Sequence, residues 1–224
     1  MKRTPQQGFT LVEIAIVLVI IGLLLGGILK GQEMITQAKI KNVIADFSGV
    51  SAAYHGYQDR YRAIPGDDPN AATRWAVAPA ATAGNGNGVV AGAYNSATVT
   101  DESRLWWDHL RRAGFVSGTG TLQPFNALTG QIGVQTGNGQ AVVGPTLLNV
   151  AAGNGFVGLI MCSANLPDKI AIAVDTQMDD GASNLGTVRA LLQTAPNPAI
   201  GAGQVSTPAY AETSTNIYTL CRAL

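Results

Sequence analysis

Gly8-Phe9-Thr10-Leu11-Val12-Glu13 opens a run that continues Ile14-Ala15-Ile16-Val17-Leu18-Val19-Ile20-Ile21-Gly22-Leu23-Leu24-Leu25-Gly26-Gly27-Ile28-Leu29. Phe9 to Leu29 is about 21 residues. At about 1.5 Å per residue, a helix of that length crosses the roughly 30 Å hydrocarbon core of a bilayer. Glu13 is its single ionisable side chain. A carboxylate so placed costs about 2.5–3.5 kcal/mol on insertion scales, which marks it as a functional candidate. The short polar leader Met1–Gly8 carries Lys2 and Arg3, and basic residues ahead of a first apolar segment hold that end in the cytoplasm. A secretory signal would have a shorter apolar run with its small-residue cleavage site after it. Here the small residue, Gly8, comes before the run.

The motif Gly8-Phe9-Thr10-Leu11-Val12-Glu13 with an apolar helix behind it closely resembles the N-terminus of type IV pilins and of the related pseudopilins of type II secretion. The resemblance implies cleavage between Gly8 and Phe9 by a prepilin peptidase and N-methylation of the new Phe9 amine. It also implies storage in inner-membrane lipid, an inner-membrane assembly platform, and packing into a homo-oligomeric helical filament. That filament would be extracellular, serving roles such as adhesion and motility, or a periplasmic pseudopilus. Many type IV pilins carry a proline in this helix; the present chain has none between Phe9 and Arg62. Cleavage would place a positive amine within reach of Glu13, on the same helix or on a neighbour. Pairing a charge in low dielectric recovers much of its desolvation cost, so Glu13 is expected to set subunit register. The alternative is a carboxylate that only snorkels to the interface.

The chain has 224 residues, 46% hydrophobic and 12% charged, with Lys+Arg and Asp+Glu equal at 14 each. No basic face is implied, so nucleic acid is not an expected partner. Length allows one anchor and one globular domain. The expected layout is a leader over 1–8, a membrane or filament-core helix over 9–29, an amphipathic continuation over 30–62, and a headgroup over 63–224. Ile40, Val43, Ile44, Phe47, Val50, Tyr54, Tyr57 and Tyr61 recur at three and four, one face of a helix, which Pro65-Gly66 ends. Gly22-x-x-x-Gly26 and Gly27-x-x-x-Gly31 are spacings that let helices approach closely.

Asp101 to Gly114 reads as a short helix, acids first and bases last. Its Trp106, Leu110 and Ala113 share one face, and Arg104, Arg111 and Arg112 are expected on a solvated one. The stretches 156–162, 170–174, 187–192 and 216–221 read as strands with short connections, hence mostly antiparallel. An antiparallel sheet against the amphipathic half of the long helix gives an α+β, pilin-like fold.

Cys162 and Cys221 form an even pair in an exported domain, which is read as a disulfide. A redox or metal role would want a Cys-x-x-Cys or a nearby His, and neither is present. Many type IV pilins have a similar C-terminal cysteine pair. Asp175, Asp179 and Asp180, in a turn beside Gly181, could bind Ca²⁺ through carboxylate oxygens, and some pilins and pseudopilins have a calcium loop near this region. Asp67, Asp68, Asn85 and Asn87 are a weaker oxygen-rich set. No other cofactor is implied. His55 and His109 lack partners at catalytic spacing and read as surface or packing residues, so the expected role is structural and not enzymatic; the alternative from a different class is a membrane-anchored enzyme or binding domain.

Overall fold

The computed structural model describes residues 10–137, 155–200, 206 and 209–224. Helix α1 runs Leu11–Tyr61. It ends where Arg62 takes a left-handed conformation, φ 54°, three residues before Pro65. By its contacts the chain forms two compact units, the first ending at Ala38 and the second running Lys39–Leu224.

In the second unit the three-and-four spacing of α1 does what it should. Ile40, Val43, Phe47, Val50, Tyr54 and Tyr57 are buried, and Ile44 and Tyr61 pack against the same core. Helix α2, Ala71–Arg74, is one turn in an otherwise irregular connection. Helix α3, Glu102–Arg112, inserts Trp106, Trp107 and Leu110 into the core.

Four strands follow: β1 Ile132–Thr136, β2 Leu159–Pro167, β3 Val188–Leu192 and β4 Ile217–Ala223. They form one antiparallel sheet in the order β1-β2-β4-β3. The α+β expectation therefore holds. The sheet is covered on both faces. Met161 and Leu166 of β2 enter the core built on α1, while Ile160, Cys162 and Ala164 join Tyr94, Phe156, Leu191 and Ile200 in a second cluster. This two-sided burial explains why β2 reads as a continuous apolar run.

One strand expectation is corrected. Residues 170–174, read as a strand, lie in helix α4, Asp168–Met178. Ile170, Ala171, Val174 and Asp175 are its buried face, a helical spacing. Pro167 ends the strand because it has no N–H for a ladder, and its fixed φ suits a helix start. Strand β1 falls in a Gly-, Thr- and Gln-rich stretch that is low in helix signals and for which no strand was expected. Gly133 is needed there: a Cβ would come 1.9 Å from the Tyr94 carbonyl oxygen. Neither sheet edge is bare. Ala190 N donates to Ser183 O at 2.7 Å on the β3 side, and Thr136 N donates to Val90 O at 3.4 Å on the β1 side.

Candidate functional site

The N-terminal half of α1 carries the first set of functional residues. Gly8 and Phe9, the expected processing and methylation positions, lie outside the described residues. Thr10 and Glu13 form a reciprocal cap. Glu13 Oε2 accepts from Thr10 N and from Thr10 Oγ1, each at 2.8 Å, while Glu13 N donates to Thr10 Oγ1 at 3.3 Å. This is the capping box, in which two residues three apart satisfy each other's open backbone amides. The Thr-x-x-Glu spacing ahead of an apolar run announces it, a signal absent from the sequence reading above. Glu13 thus has a local task, starting the helix, besides any role between subunits.

From Leu11 to Leu29 the apolar side chains of α1 are exposed on every side. Among the described residues, α1 is the one helix long and apolar enough to cross a membrane, and none of its apolar window is buried. A Cβ added at Gly22, Gly26, Gly27 or Gly31 would meet nothing within 4 Å. The glycines therefore answer no steric need within the chain, although each weakens the helix by about 1 kcal/mol.

In the headgroup, Cys162 and Cys221 face each other across β2 and β4. Their sulfurs are bonded, both residues are fully buried, and 59 positions separate them in sequence.

The acidic turn follows α4. One oxygen each of Asp175, Asp179 and Asp180 fall within 4.8 Å of one another. Asp179 Oδ2 accepts from Val188 N at 2.9 Å and also from Thr187 N, and Asp180 Oδ1 accepts from Ala182 N at 2.8 Å. Asp175 is different: it is fully buried. Tyr210 donates its hydroxyl to Asp175 Oδ2 at 2.5 Å, but Oδ1 has no hydrogen-bond partner. Burial, reinforced by the charges of Asp180 and Asp179, pushes the Asp175 carboxyl up to about 6, against the hydrogen bond from Tyr210 and the nearby Gly181 N–H, which lower it.

The second oxygen-rich set is spent on the fold. Asp67 accepts from the amides of Gly86, Asn87 and Gly88 at 2.6–3.1 Å. Asp68, fully buried, pairs with Arg74 and accepts the Tyr57 hydroxyl at 2.6 Å. His109 is fully buried. Its Nδ1 accepts from Gly66 N at 2.9 Å and its Nε2 lies 2.8 Å from Thr82 O. Those two partners fix the tautomer with the proton on Nε2. Burial holds the ring below the ordinary histidine range. His55 is exposed.

The expected solvated arginine face is corrected. Arg104 is buried and donates to Thr121 O and Ser96 O. Arg111 donates to Gly120 O, and Arg112 to Asp108 and Pro79 O. These side chains tie loop carbonyls to α3, because irregular connections leave carbonyls that need donors.

Residues 3–29 match the prokaryotic N-terminal methylation motif, the signature of type IV pilins and pseudopilins. No curated protein and no solved structure matches the chain. The motif supports a processed subunit of the pilin or pseudopilin kind, with a membrane-anchored precursor acted on by a prepilin peptidase and later held in a filament. Motif and fold together indicate a structural subunit.

Proposed function

We propose that this chain is a structural subunit of a type IV pilus-like filament, cut between Gly8 and Phe9 and assembled through its N-terminal helix into a homo-oligomer. The observation that carries the reading is the apolar half of α1. It is exposed all round and lies within the methylation-motif match over residues 3–29. Apolar surface of that extent is stable only in lipid or against other helices. The precursor has the first environment and the filament supplies the second. Intact mass of sheared surface filaments tests this. The expected species begins at Phe9 with one added methyl; a chain still starting at Met1 refutes it. Correctly processed chain confined to the periplasm would assign it to a type II secretion pseudopilus instead.

We further propose that Asp175, Asp179 and Asp180 hold a divalent cation, for which Ca²⁺ has the fitting chemistry. The three carboxylates are hard oxygen donors at the right mutual distance, and Asp175 contributes a buried oxygen that has no hydrogen-bond partner. A bound cation would tie the end of α4 to the start of β3.

A further inference from the structure

Asp46, on α1 within the Lys39–Leu224 unit, is half-buried and makes no hydrogen bond or ion pair among the described residues. Burial alone raises its carboxyl above the ordinary range, with no cation acting on it. It lines an open groove of about 320 Å³. Ala45, Gly49 and Val50 of α1 form one side; Phe115 and Phe125 stand on the other. The two rings are 37% and 56% exposed, and a Cβ on Gly49 would meet nothing within 4 Å. This is a trough with small residues on one side, aromatic rings on the other and one uncompensated negative charge. Its complement is a cation on a long apolar stem, the chemistry of a lysine side chain.

The chain carries such a group on the same helix. Lys41 is exposed and forms no ion pair among the described residues, whereas Arg62, Arg74, Arg112 and Lys169 already pair within their own chain. Lys41 and Asp46 are five positions apart. On a helix of 3.6 residues per turn that is about 140° of rotation and about 7.5 Å of rise. The two groups cannot meet within one helix, since they lie on different faces of it. Lys39, seven before Asp46, lies on nearly the same face. Pairing it would require like faces to meet.

We propose that the Asp46 groove receives Lys41 of a second copy of this chain, set parallel and displaced by about one and a half turns along α1. The inference rests on the filament reading and adds its register. A contact between two different faces is heterologous: each copy keeps a free Lys41 and a free groove. Such a contact does not close on itself and extends into a filament. Removing a carboxylate from water without a partner is costly, and a cation from a neighbour offsets that cost.

The test uses the full chain in cells. A carbodiimide couples a carboxylate to an amine only where the two touch. Cells co-producing light- and heavy-isotope chains are treated, and cross-links are mapped by mass spectrometry. The expected product is an Asp46–Lys41 cross-link joining light to heavy chains. In parallel, Asp46→Lys should lower assembled material about tenfold, and adding Lys41→Asp should restore it to within about twofold, as expected for a directly coupled charge pair. Asp46→Asn, which keeps the shape and cannot misfold through a reversed charge, should also assemble poorly while its membrane level stays normal. Surface filaments without the mixed cross-link, or reversal without rescue, overturn the pairing and leave the filament reading intact. A mixed cross-link in cells that make no filaments upholds the pairing and refutes that reading.

Discussion

Asp175 has opposite consequences for stability with and without a cation. Its carboxyl moves from an ordinary 3.8 to about 6 in the folded chain. A raised carboxylate pKa means the folded state binds the proton more tightly than the unfolded state. The stability this adds is full below 3.8 and is lost as pH rises through about 6. Above that, in chelator, the native state carries a buried charge with one unanswered oxygen. Asp175→Asn removes the charge and retains an acceptor for Tyr210. At pH 7.5 in chelator the variant should be more stable than the natural chain by about 1–3 kcal/mol, the scale of a two-unit shift. Ca²⁺ should raise the melting temperature of the natural chain and leave the variant unmoved. Equal melting of the natural chain with Ca²⁺ and with chelator would refute the site.

His109 runs with the opposite sign. Burial depresses its pKa below the ordinary 6.5, so its contribution is full above 6.5 and is lost as pH falls through the folded value. Protonation would also remove the Nδ1 acceptor from Gly66 N. NMR should show the His109 ring neutral, with its proton on Nε2, at pH 6.5. A charged ring there would contradict the packing. Little of this was legible from sequence. His109 reads as a surface or packing residue from its lack of partners, and its contacts, Gly66 and Thr82, lie 43 and 27 positions away. The Asp175 turn was visible as a cluster. Nothing in the sequence separates its buried member from the two more exposed ones.

Elements with a long period were the most legible. Alternation at three and four over Ile40–Tyr61 has enough repeats to specify a helix and its buried face, and α1 follows it. Ile170-Ala171-Ile172-Ala173-Val174 has too few. Five residues of alternating size suit a strand and also leave Ile170, Ala171 and Val174 on one helical face, so only the tertiary setting decides. β1 was hidden because a strand approached by another backbone needs Gly133, a residue that weakens the local strand signal. The cysteines linked elements that periodicity could not. Replacing both Cys162 and Cys221 by Ala should destabilise the headgroup by about 4 kcal/mol, from the chain entropy of a loop of that length. β2 and β4 should still pair through their backbone ladder, so far-ultraviolet circular dichroism should change little while the melting temperature falls. Unchanged melting would mean the bond contributes nothing to the fold.

At the scale of the whole molecule, the chain combines a headgroup that satisfies its own core with a helix that satisfies nothing until other molecules arrive. Glu13 belongs to both states. In the single chain it caps the helix with Thr10; in the proposed filament its charge answers the new amine at Phe9. Two substitutions separate these tasks. Glu13→Gln keeps an acceptor at the third helical position, so the cap survives, and it removes only the charge. Glu13→Ala removes both, at an added cost of about 1 kcal/mol in helix initiation. Both should insert into the membrane at least as readily as the natural chain, since a carboxylate opposes insertion. Both should still be cleaved at Gly8. If the charge drives docking, Glu13→Gln and Glu13→Ala should both show normal processed protein in the membrane and few sheared filaments. If Glu13 serves only the cap, Glu13→Gln should assemble normally and Glu13→Ala alone should fail. Measuring the processed membrane pool and the sheared filament pool for each variant decides between the two. Normal filaments from Glu13→Gln would reject the charge-pair mechanism outright.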